Sequence, residues 1–578
     1  MLGILDWTII IAFIALSAGI TLLVRKKAGK NLESFFLGGR NLPWLVAGVS
    51  MVATTFAADT PLAVNELVYQ NGISGNWLWW NFLAGGMLTV FFFSRLWRRA
   101  GVLTEVEFAE IRYSGRPAAL LRGFKAVYLG LFMNVLIIGW VNVAMMTILE
   151  VFFDLPRIDS LLYTGGLMLL VALYSSISGL LGVAITDSIQ FVLAMTGSII
   201  LAIIVVQSPE IGGIESLKSK LPAGSLSFFP QIGEAGAGTS LTIGLGAFLA
   251  FATMQWWSSW YPGAEPGGGG YIAQRMMSVK SEKDAFWATL FFQVAHYCIR
   301  PWPWIIVGLC AVVLYPDLSD ADSKFGYVMA MKDYLPPGLK GLLLAAFLAA
   351  YMSTISTQLN WGSSYLTSDV YKRFINKNTS DSHQVNVARV ITVLLMIVGL
   401  AVSSQIEQIS GVWLFIIECG AGLGLVLILR WYWWRINAWS EITATLAPFV
   451  AYGVGKWVFD LEFPNSFFLT VSFTTVCWVL VTFLTKPTDD AKLKSFYAKV
   501  KPLGRWGKFE LPGEKDATKL WHLFAGWILA VVLTYSILFL TGYSILLEWE
   551  SALKWLISAL VSLVLLLLLD KKTSVLSR

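Results

Sequence analysis

The chain has 578 residues, of which 56% are hydrophobic and only 13% are charged, and its mean hydropathy is +0.67. This balance excludes an ordinary soluble domain and indicates a polytopic membrane protein. The net charge of +6 is no argument for nucleic-acid binding, because Lys and Arg are confined to certain loops, as membrane orientation requires. The four cysteines lack CxxC spacing and predict neither a disulfide framework nor a metal site.

Apolar stretches long enough to cross a bilayer recur along the chain, and we count about fifteen. The first, residues 5–24, has no basic start and no cleavage pattern, so we expect a retained span and not a signal peptide. The prediction is therefore an all-α polytopic membrane protein.

Two of the predicted spans are interrupted. Asp59 and Pro61 lie in the middle of the second span, and a charge and a proline there predict a broken helix. The seventh span runs into residues 262–270, PGAEPGGGG, where two prolines and four consecutive glycines forbid a continuous helix. Interruptions five spans apart are typical of a five-helix unit repeated in inverted orientation, with the substrate bound where both helices unwind. The residues alone thus indicate a secondary transporter.

The basic residues favour one orientation in the membrane. If the N-terminus is outside, the inside loops hold most of the Lys and Arg, and an odd number of spans places the C-terminus inside. These residues are Arg25, Lys26, Lys27, Arg95, Arg98, Arg99, Arg275, Lys280, Lys372, Arg373, Arg430, Arg435, Lys571, Lys572 and the basic linker 486–519. The predicted units are the first helix and a cytoplasmic loop (1–40), the first repeat (41–206), the second, inverted repeat (238–435) and additional C-terminal helices (436–578).

The ninth span, residues 342–373, becomes rich in hydroxyl groups halfway along. In a helix, Ser353, Ser356, Thr357 and Asn360 share one face, and Thr354 lies beside them. Hydroxyls among small residues suit a bare hard cation, which takes uncharged oxygens and open backbone carbonyls. The alternative is that these side chains bond back to their own helix or let neighbouring helices approach closely.

Four segments of the sequence occur in a distinctive order. They are ESFFLGGRNLPW before the second span, GLLGVAITDSIQ entering the sixth, YIAQRMMSVKSEKDA after the seventh and AAYMSTISTQLNWGSSYLTSDVYKR in the ninth. Together they resemble the sodium:solute symporter family, which includes sodium-coupled sugar, proline and sialic acid transporters. The resemblance covers about residues 5–435. It implies a LeuT-type fold and sodium-coupled import of a small polar organic solute by alternating access, across a plasma or bacterial inner membrane.

The resemblance also implies positions for bound sodium, with one or two Na⁺ ions per transport cycle. The first site would use the backbone carbonyls of Ala53, Phe56 and Ala350 and the hydroxyls of Ser353 and Thr354. A second site, present in some members, would use Asp187, Ser353, Ser356 and Thr357. A different role for Asp187 is that of an acid in the first turn of a helix.

The residues that hold sugar in galactose-type members do not appear at matching places, so the substrate is left open. Polar and aromatic residues near the predicted midplane form the candidate substrate site: Thr55, Asp59, Thr60, Asn81, Trp256, Trp257, Tyr261, His296 and Arg300. The tryptophans could instead anchor the protein at the bilayer interface.

Arg300 is the most informative of these residues. It lies near the middle of an apolar run, where an arginine costs about 2.5 kcal/mol or more, so it needs a partner. The partner is either an acidic group of the substrate, held by the guanidinium fork, or an internal acid such as Asp59 or Glu418. His296 shares a helix face with Arg300 and is either a packed, hydrogen-bonded residue or a proton relay.

Three other classes of membrane protein fit the sequence less well. A channel also lines a path with hydroxyls, but it does not call for two broken helices at repeat-related positions. A non-transporting sensor on the same fold would normally carry a soluble signalling domain, and an enzyme would need a nucleophile, a metal cluster or a phosphate loop. We therefore expect a transporter that is not an enzyme, acts as a monomer, and has Na⁺, a small solute and the lipid bilayer as partners.

Overall fold

The computed structural model describes residues 2–28, 37–102, 104–175, 180–233, 242–378, 380–510 and 520–576. In these residues the protein is almost entirely helical. The helices are α1 Ile4–Ala28, α2 Trp44–Thr54, α3 Asp59–Asn71, α4 Ile73–Ala100, α5 Glu105–Arg112, α6 Gly115–Phe153, α7 Arg157–Ser175, α8 Leu180–Val206, α9 Ile214–Lys220, α10 245–258, α11 Gly270–Ser278, α12 Glu282–Leu314, α13 Phe325–Tyr334, α14 Leu339–Ile375, α15 Asp381–Ser403, α16 Ile409–Cys419, α17 Leu423–Tyr432, α18 Ala438–Trp457, α19 Asn465–Leu484, α20 Asp490–Val500, α21 Leu520–Ile545 and α22 Trp549–Thr573.

Several helices contain a turn of different pitch. Five of them include a π-helical turn, at Thr89–Phe93, Tyr128–Met133, Ala250–Gln255, Ala295–Ile299 and Leu366–Ile375. Single 3₁₀ turns lie at Gly38–Arg40 and Gly507–Phe509, and two-residue parallel strands, β1 Gln231–Ile232 and β2 Thr242–Ile243, pair outside the bundle. Turns of different pitch rotate side chains relative to a regular helix.

Nine helices in the described part of the chain are long and apolar enough to cross a membrane, and two bent helix pairs raise the number to as many as eleven. One of these pairs is α2 and α3, which meet at 58° across residues 55–58. This is the break that Asp59 and Pro61 predict. Proline has no N–H, so the helical ladder cannot continue through it, and the N–H of Phe56 instead bonds to the carbonyl of Ala53 at 3.0 Å.

The break is held in place by aromatic packing. The ring of Phe56 stacks on Trp304 with centroids 5.5 Å apart. It also meets Phe191 edge-on at 6.0 Å and Phe347 at 6.3 Å. These three rings belong to α12, α8 and α14, so one side chain at the break fixes its position against three long helices.

The second predicted interruption is also present. It packs against a third break, which the sequence does not predict. The helices α10 and α11 are separated by residues 259–269, and α16 and α17 bend by 52° at residues 420–422. The two breaks exchange backbone hydrogen bonds, from Trp260 N–H to the Gly420 carbonyl at 3.2 Å and from Gly422 N–H to the Ser258 carbonyl at 2.9 Å. Each break therefore satisfies polar backbone groups that the other exposes.

Helix α21, the last but one in the described residues, packs along α4 and α12. The indole of Trp527 donates to the Ala84 carbonyl at 2.8 Å, and the hydroxyl of Tyr535 donates to the Trp80 carbonyl at 2.9 Å. The thiol of Cys298, within the π-turn of α12, donates to the Thr534 carbonyl at 3.2 Å. Hydrogen bonds thus run in both directions, from side chains of α21 to the backbone of α4 and from α12 to the backbone of α21.

The contact between α21 and α12 leads to a test of packing. A Cβ atom built on Gly542 would lie 1.9 Å from the Trp302 ring, so Gly542→Ala must displace one of them. Overpacking costs about 1–3 kcal/mol, and we expect a lower midpoint of thermal unfolding in detergent. The matched control is Gly166→Ala in α7, where a Cβ meets nothing within 4 Å. Equal midpoints for the two variants would contradict the proposed role of this contact.

Candidate functional site

A cavity of about 90 Å³ lies where the break between α2 and α3 faces α4, α12, α14 and the 259–269 loop. Six of the nine predicted substrate residues line it: Thr55, Asp59, Thr60, Tyr261, His296 and Arg300. The structure therefore brings together side chains that are separated by up to about 245 positions in the chain.

The hydroxyl of Thr55 lies within hydrogen-bond distance of three polar groups at the cavity wall. Its hydroxyl lies 2.8 Å from the Val52 carbonyl, 2.9 Å from Nη1 of Arg300 and 3.2 Å from Nδ1 of His296. A hydroxyl has one proton to donate and two lone pairs to accept with. If the proton goes to the Val52 carbonyl, the lone pairs accept from Arg300 and from a protonated Nδ1 of His296. The Nε2 atom of His296 is then an acceptor.

Arg300 reaches the cavity because α12 changes pitch beside a proline. The N–H of Arg300 bonds to the carbonyl of Ala295, five residues back, at 3.1 Å, and Pro301 has no N–H to continue the ladder. A π-turn of this kind places His296 and Arg300 on the same wall. The guanidinium carbon of Arg300 lies 5.2 Å from the centroid of the Trp304 ring, where a cation is attracted to the aromatic face.

Arg300 forms no internal ion pair with Asp59 or Glu418. Among the residues that the structure describes, no carboxylate lies within 4 Å of its guanidinium, and its Nε has no hydrogen-bond partner. Glu418 accepts a hydrogen bond from Ser466 at 2.8 Å instead. Asp59 shares the cavity and is the first residue of α3, where the helix dipole favours a negative charge. Its Oδ1 also has no hydrogen-bond partner among the described residues.

Aromatic rings form the other walls. Trp79 stacks on Tyr297 with centroids 5.4 Å apart, and it meets His296 edge-on at 5.6 Å. Phe82 stacks on Tyr261 at 5.3 Å, and Trp413 meets Tyr261 edge-on at 5.9 Å. Rings packed against one another in this way provide a rigid, largely apolar enclosure around a few polar groups, which is typical of small-ligand sites.

Three predicted substrate residues do not line the cavity. The amide of Asn81 donates to the carbonyls of Trp77 and Leu78, at 2.7 and 3.0 Å, within its own helix. The indoles of Trp256 and Trp257 donate to the carbonyls of Ala252 and Thr253, one turn back. Trp256 also packs against Trp527 of α21, with ring centroids 5.4 Å apart. These side chains donate hydrogen bonds to backbone carbonyls and contribute to helix packing around the site.

The side of α14 that faces the cavity carries Thr354 and Gln358, one turn apart. The hydroxyl of Thr354 donates to the Ala350 carbonyl at 3.0 Å, and the hydroxyl of Ser356 donates to the Ser353 carbonyl at 3.1 Å. Within the described residues, no group donates a hydrogen bond to either hydroxyl. Ser356 is buried, whereas Thr357 is only partly buried and Asn360, at the end of the predicted row, is exposed.

Two of the predicted sodium ligands come from the backbone at the break. Ala53 is in the last turn of α2 and Phe56 follows it, outside the helical ladder. Thr54 and Thr55, between them, line the same cavity as Thr354. The break and Thr354 of α14 therefore line one cavity, and the other predicted hydroxyls of α14 are not among its lining residues. Asp187 lies on α8, but its side chain is outside the described residues, so the second predicted sodium site has no described geometry.

Sequence reasoning missed several residues of the cavity. The omitted lining residues with polar or aromatic side chains are Thr54, Trp79, Phe82, Trp140, Tyr271, Tyr297, Gln358 and Trp413. One signal was available: Gln358 is a polar residue in an apolar span, one turn after Thr354. Its buried Oε1 has no hydrogen-bond partner among the described residues.

The chain matches the sodium:solute symporter family over residues 35–446. It is 25% identical to the sodium/glucose cotransporter of Vibrio parahaemolyticus, over 85% of this chain and 92% of that protein. It is also 25% identical to the sodium/sialic acid symporter SiaT of Proteus mirabilis, over 80% of this chain and 91% of that protein. A third relative is the osmoregulated proline transporter OpuE of Bacillus subtilis, at 25% identity over 83% of this chain and 95% of that protein.

The fold has a counterpart among solved structures. A Na⁺-coupled sialic acid symporter in a substrate-bound, outward-open state superimposes with a TM-score of 0.64 at 19% identity, covering 84% of this chain and 99% of the other. The mostly helical bundle and the sequence match agree, and the family consists of transporters. The chain belongs to the sodium:solute symporter family and is a multi-pass membrane protein that imports a solute together with sodium.

Proposed function

We propose that the transported solute is small and carries an acidic group, which Arg300 binds in the cavity. The observation that carries this proposal is a buried guanidinium without an ion pair: Arg300 is only 2% exposed, and its hydrogen-bond partners are the Thr55 hydroxyl and the Val52 carbonyl. A buried cation is costly unless it is paired. A carboxylate on the solute would supply the missing charge through the guanidinium fork.

Asp59 supports a more specific substrate class. It lies in the same cavity and has an oxygen without a partner, and an ionised carboxylate is a pure acceptor. A solute with a carboxylate at one end and an amino group or hydroxyl at the other would satisfy both Arg300 and Asp59. The stacked rings of Trp79 and Phe82 would then enclose its apolar part. Small amino acids and hydroxy acids fit this description better than neutral sugars do.

The first sodium ion is proposed to bind between the break and α14, at the carbonyls of Ala53, Phe56 and Ala350 and the hydroxyls of Ser353 and Thr354. The cavity shared by Thr55 and Thr354 supports this position. A site of neutral oxygens is suited to a monovalent hard cation. Sodium bound there would also bridge the broken helix and α14, so its binding would favour one arrangement of the two.

A second sodium ion is proposed at Asp187, Ser353, Ser356 and Thr357. A carboxylate beside hydroxyls can offset the charge of another cation. One sodium ion already provides enough free energy to drive solute accumulation. A charge moving down about 100 mV releases about 2.3 kcal/mol, and a tenfold sodium gradient adds about 1.4 kcal/mol. Each ion therefore allows about a few hundredfold accumulation, and a second ion would square this ratio.

The topology is proposed to contain about fifteen membrane helices, with the N-terminus outside and the C-terminus inside. The eleven candidate spans support this number when four further helices are added: α1, α7, α18 and the interrupted pair of α10 and α11. The breaks in the second and seventh spans support two inverted five-helix repeats within 41–206 and 238–435. The protein is proposed to function as a monomer.

The substrate proposal is tested by a thermal-shift screen of the purified protein with amino acids, organic acids and sugars, with and without Na⁺. We expect stabilisation by a carboxylate-bearing compound that depends on Na⁺, since a ligand that binds only the folded state raises its stability. Stabilisation by neutral sugars alone would contradict the proposed role of Arg300. Counterflow of the labelled compound in proteoliposomes then distinguishes transport from channel activity.

Replacing Ser353 or Thr354 by Ala should weaken the first sodium site. Each change removes one oxygen ligand, so we expect the Na⁺ concentration for half-maximal stabilisation or uptake to rise about tenfold, which corresponds to about 1.4 kcal/mol. The matched control is Ser364→Ala on the same helix, whose hydroxyl donates to the Trp361 carbonyl at 2.9 Å. An unchanged sodium dependence in both Ser353→Ala and Thr354→Ala would contradict the assignment of these residues to the first sodium site.

Arg300→Lys should lower substrate affinity about tenfold or more while the protein still folds, because the charge stays and the bidentate fork is lost. Affinity is measured by substrate-dependent thermal shift at saturating Na⁺. Glu418→Gln is the control, since Glu418 bonds to Ser466 and does not line the cavity. If Arg300→Ala fails to fold and Asp59→Asn restores it, Arg300 is a structural partner of Asp59 and not a substrate ligand.

Asp187→Asn should abolish the second sodium ion and retain the first. We expect the Hill coefficient for Na⁺ to fall from near two towards one, and the maximal accumulation ratio to fall to about its square root. Both are measured as uptake into proteoliposomes under imposed Na⁺ gradients. A wild-type Hill coefficient of one, with one charge moved per neutral solute, would instead leave Asp187 as an acid of the first helical turn.

A further inference from the structure

The 259–269 loop holds a buried acid that the sodium and substrate sites do not use. Residues 261–264 line the cavity, and Glu265 follows directly with only 4% of its surface exposed. Its Oε2 has no hydrogen-bond partner among the described residues. The loop therefore joins the substrate cavity to a carboxyl group that is away from water.

A second carboxyl group approaches the same stretch of backbone. Glu105, the first residue of α5, is 5% exposed and accepts a hydrogen bond from the Gly270 N–H at 2.7 Å. A Cβ built on Gly269 would lie 3.2 Å from both carboxylate oxygens of Glu105 and 3.1 Å from Cβ of Glu265. A Cβ on Gly270 would lie 2.8 Å from Oε1 of Glu265. Glycine at these two positions thus makes room for both acids.

The two acids differ in the positive charge that lies near them. Arg430 lies 4.0 Å from Glu105, but it lies closer to Glu441, at 3.3 Å. Glu441 also has Lys125 at 2.5 Å. Within the described residues, no Lys or Arg lies within 4 Å of the Glu265 carboxyl group. A negative charge on Glu265 would therefore lie beside Glu105 without a cation of its own.

The other titratable groups that face the pair are tyrosines. Tyr271 of α11 lies near Glu265, and Tyr365 of α14 lies within electrostatic range of both acids. Neither phenol carries a positive charge, so neither can balance a second carboxylate.

We propose that Glu265 and Glu105 form a proton-binding site, and that its single proton holds the 259–269 loop closed beneath the substrate cavity. When the loop opens, water reaches Glu265, the O–H bond of the carboxylic acid breaks and the proton passes to that water. When the loop closes, Glu265 takes a proton back from the same side. No net proton crosses the membrane, and low pH on the side to which the loop opens favours the closed form.

The test measures hydrogen exchange of the amides of residues 261–270 in the full-length protein in lipid nanodiscs. Exchange is compared at about pH 6 and about pH 8, after correction for intrinsic exchange rates, because buried carboxyl groups can titrate near neutrality. In the wild-type protein we expect protection to be about fivefold or more lower at the higher pH, which corresponds to about 1 kcal/mol. This readout needs neither a substrate nor sodium, so its result is independent of the function proposed for Arg300 and the sodium sites.

Three variants make the result specific. Glu265→Gln mimics the protonated acid, so protection should be high at both pH values. Glu105→Gln removes the neighbouring negative charge, so the pH at which protection is lost should move to a more acidic value. Glu282→Gln is the control, because Glu282 is partly exposed and paired with Arg99, and it should behave as the wild type. Wild-type pH dependence in Glu265→Gln overturns the proposal.

A second measurement covers the case in which Glu265→Gln does not fold. The infrared difference spectrum of the wild-type protein between the two pH values should show loss of the C=O stretch of a protonated carboxylic acid as the pH rises, and Glu105→Gln should move this transition to lower pH. A transition that Glu105→Gln leaves unmoved belongs to another acid, such as Asp59, and overturns the assignment of the proton to this pair.

Discussion

Water is absent from the core of a membrane, so every backbone group that a broken helix exposes must find a partner within the protein. The rest of this structure depends on how that requirement is met. Residues 258–260 and 420–422 exchange hydrogen bonds across two breaks. A Cβ on Gly424 would lie 2.1 Å from the Trp257 carbonyl. The two segments can therefore approach this closely only because residue 424 is glycine. At the break between α2 and α3, the N–H groups instead bond within the segment, from Phe56 to the Ala53 carbonyl and from Thr60 to the Ala57 carbonyl.

Two clusters of buried charged residues differ in their partners. Glu441 lies in a dense network, with Lys125 at 2.5 Å and the hydroxyl of Tyr113 at 2.6 Å. The cavity is different, because Arg300 and Asp59 share it without forming an ion pair. A paired charge stabilises one structure, whereas an unpaired one makes the empty site costly and the loaded site favourable. This contrast is the physical basis for assigning binding to the cavity and architecture to the network.

Sequence patterns could predict the elements whose cause is local. Pro61 and the glycines at 267–270 interrupt helices by their own chemistry, and Arg300 stands out in an apolar run. The bend at residues 420–422 could not be predicted, since its glycines serve contacts with a distant loop. Periodicity also predicts that Asn81 lines the substrate site, whereas Trp79 and Phe82 line it. The reason is again a departure from regular helix geometry. A 3₁₀ turn at Ile73–Asn76 begins α4, and a turn of different pitch rotates the faces that regular periodicity assigns.

The hydrogen bonds of α21 have a consequence for the mechanics of transport. Trp527 and Tyr535 bond to the backbone of α4, and Thr534 accepts from Cys298 in the π-turn of α12. In alternating access by rocking of rigid bundles, α21 must then travel with these two helices as one body. The exposed side of α22, packed on α21, carries Leu560 and Leu567. A spectroscopic label on that surface would report the motion of the substrate helices from the lipid side, without any change to the cavity itself.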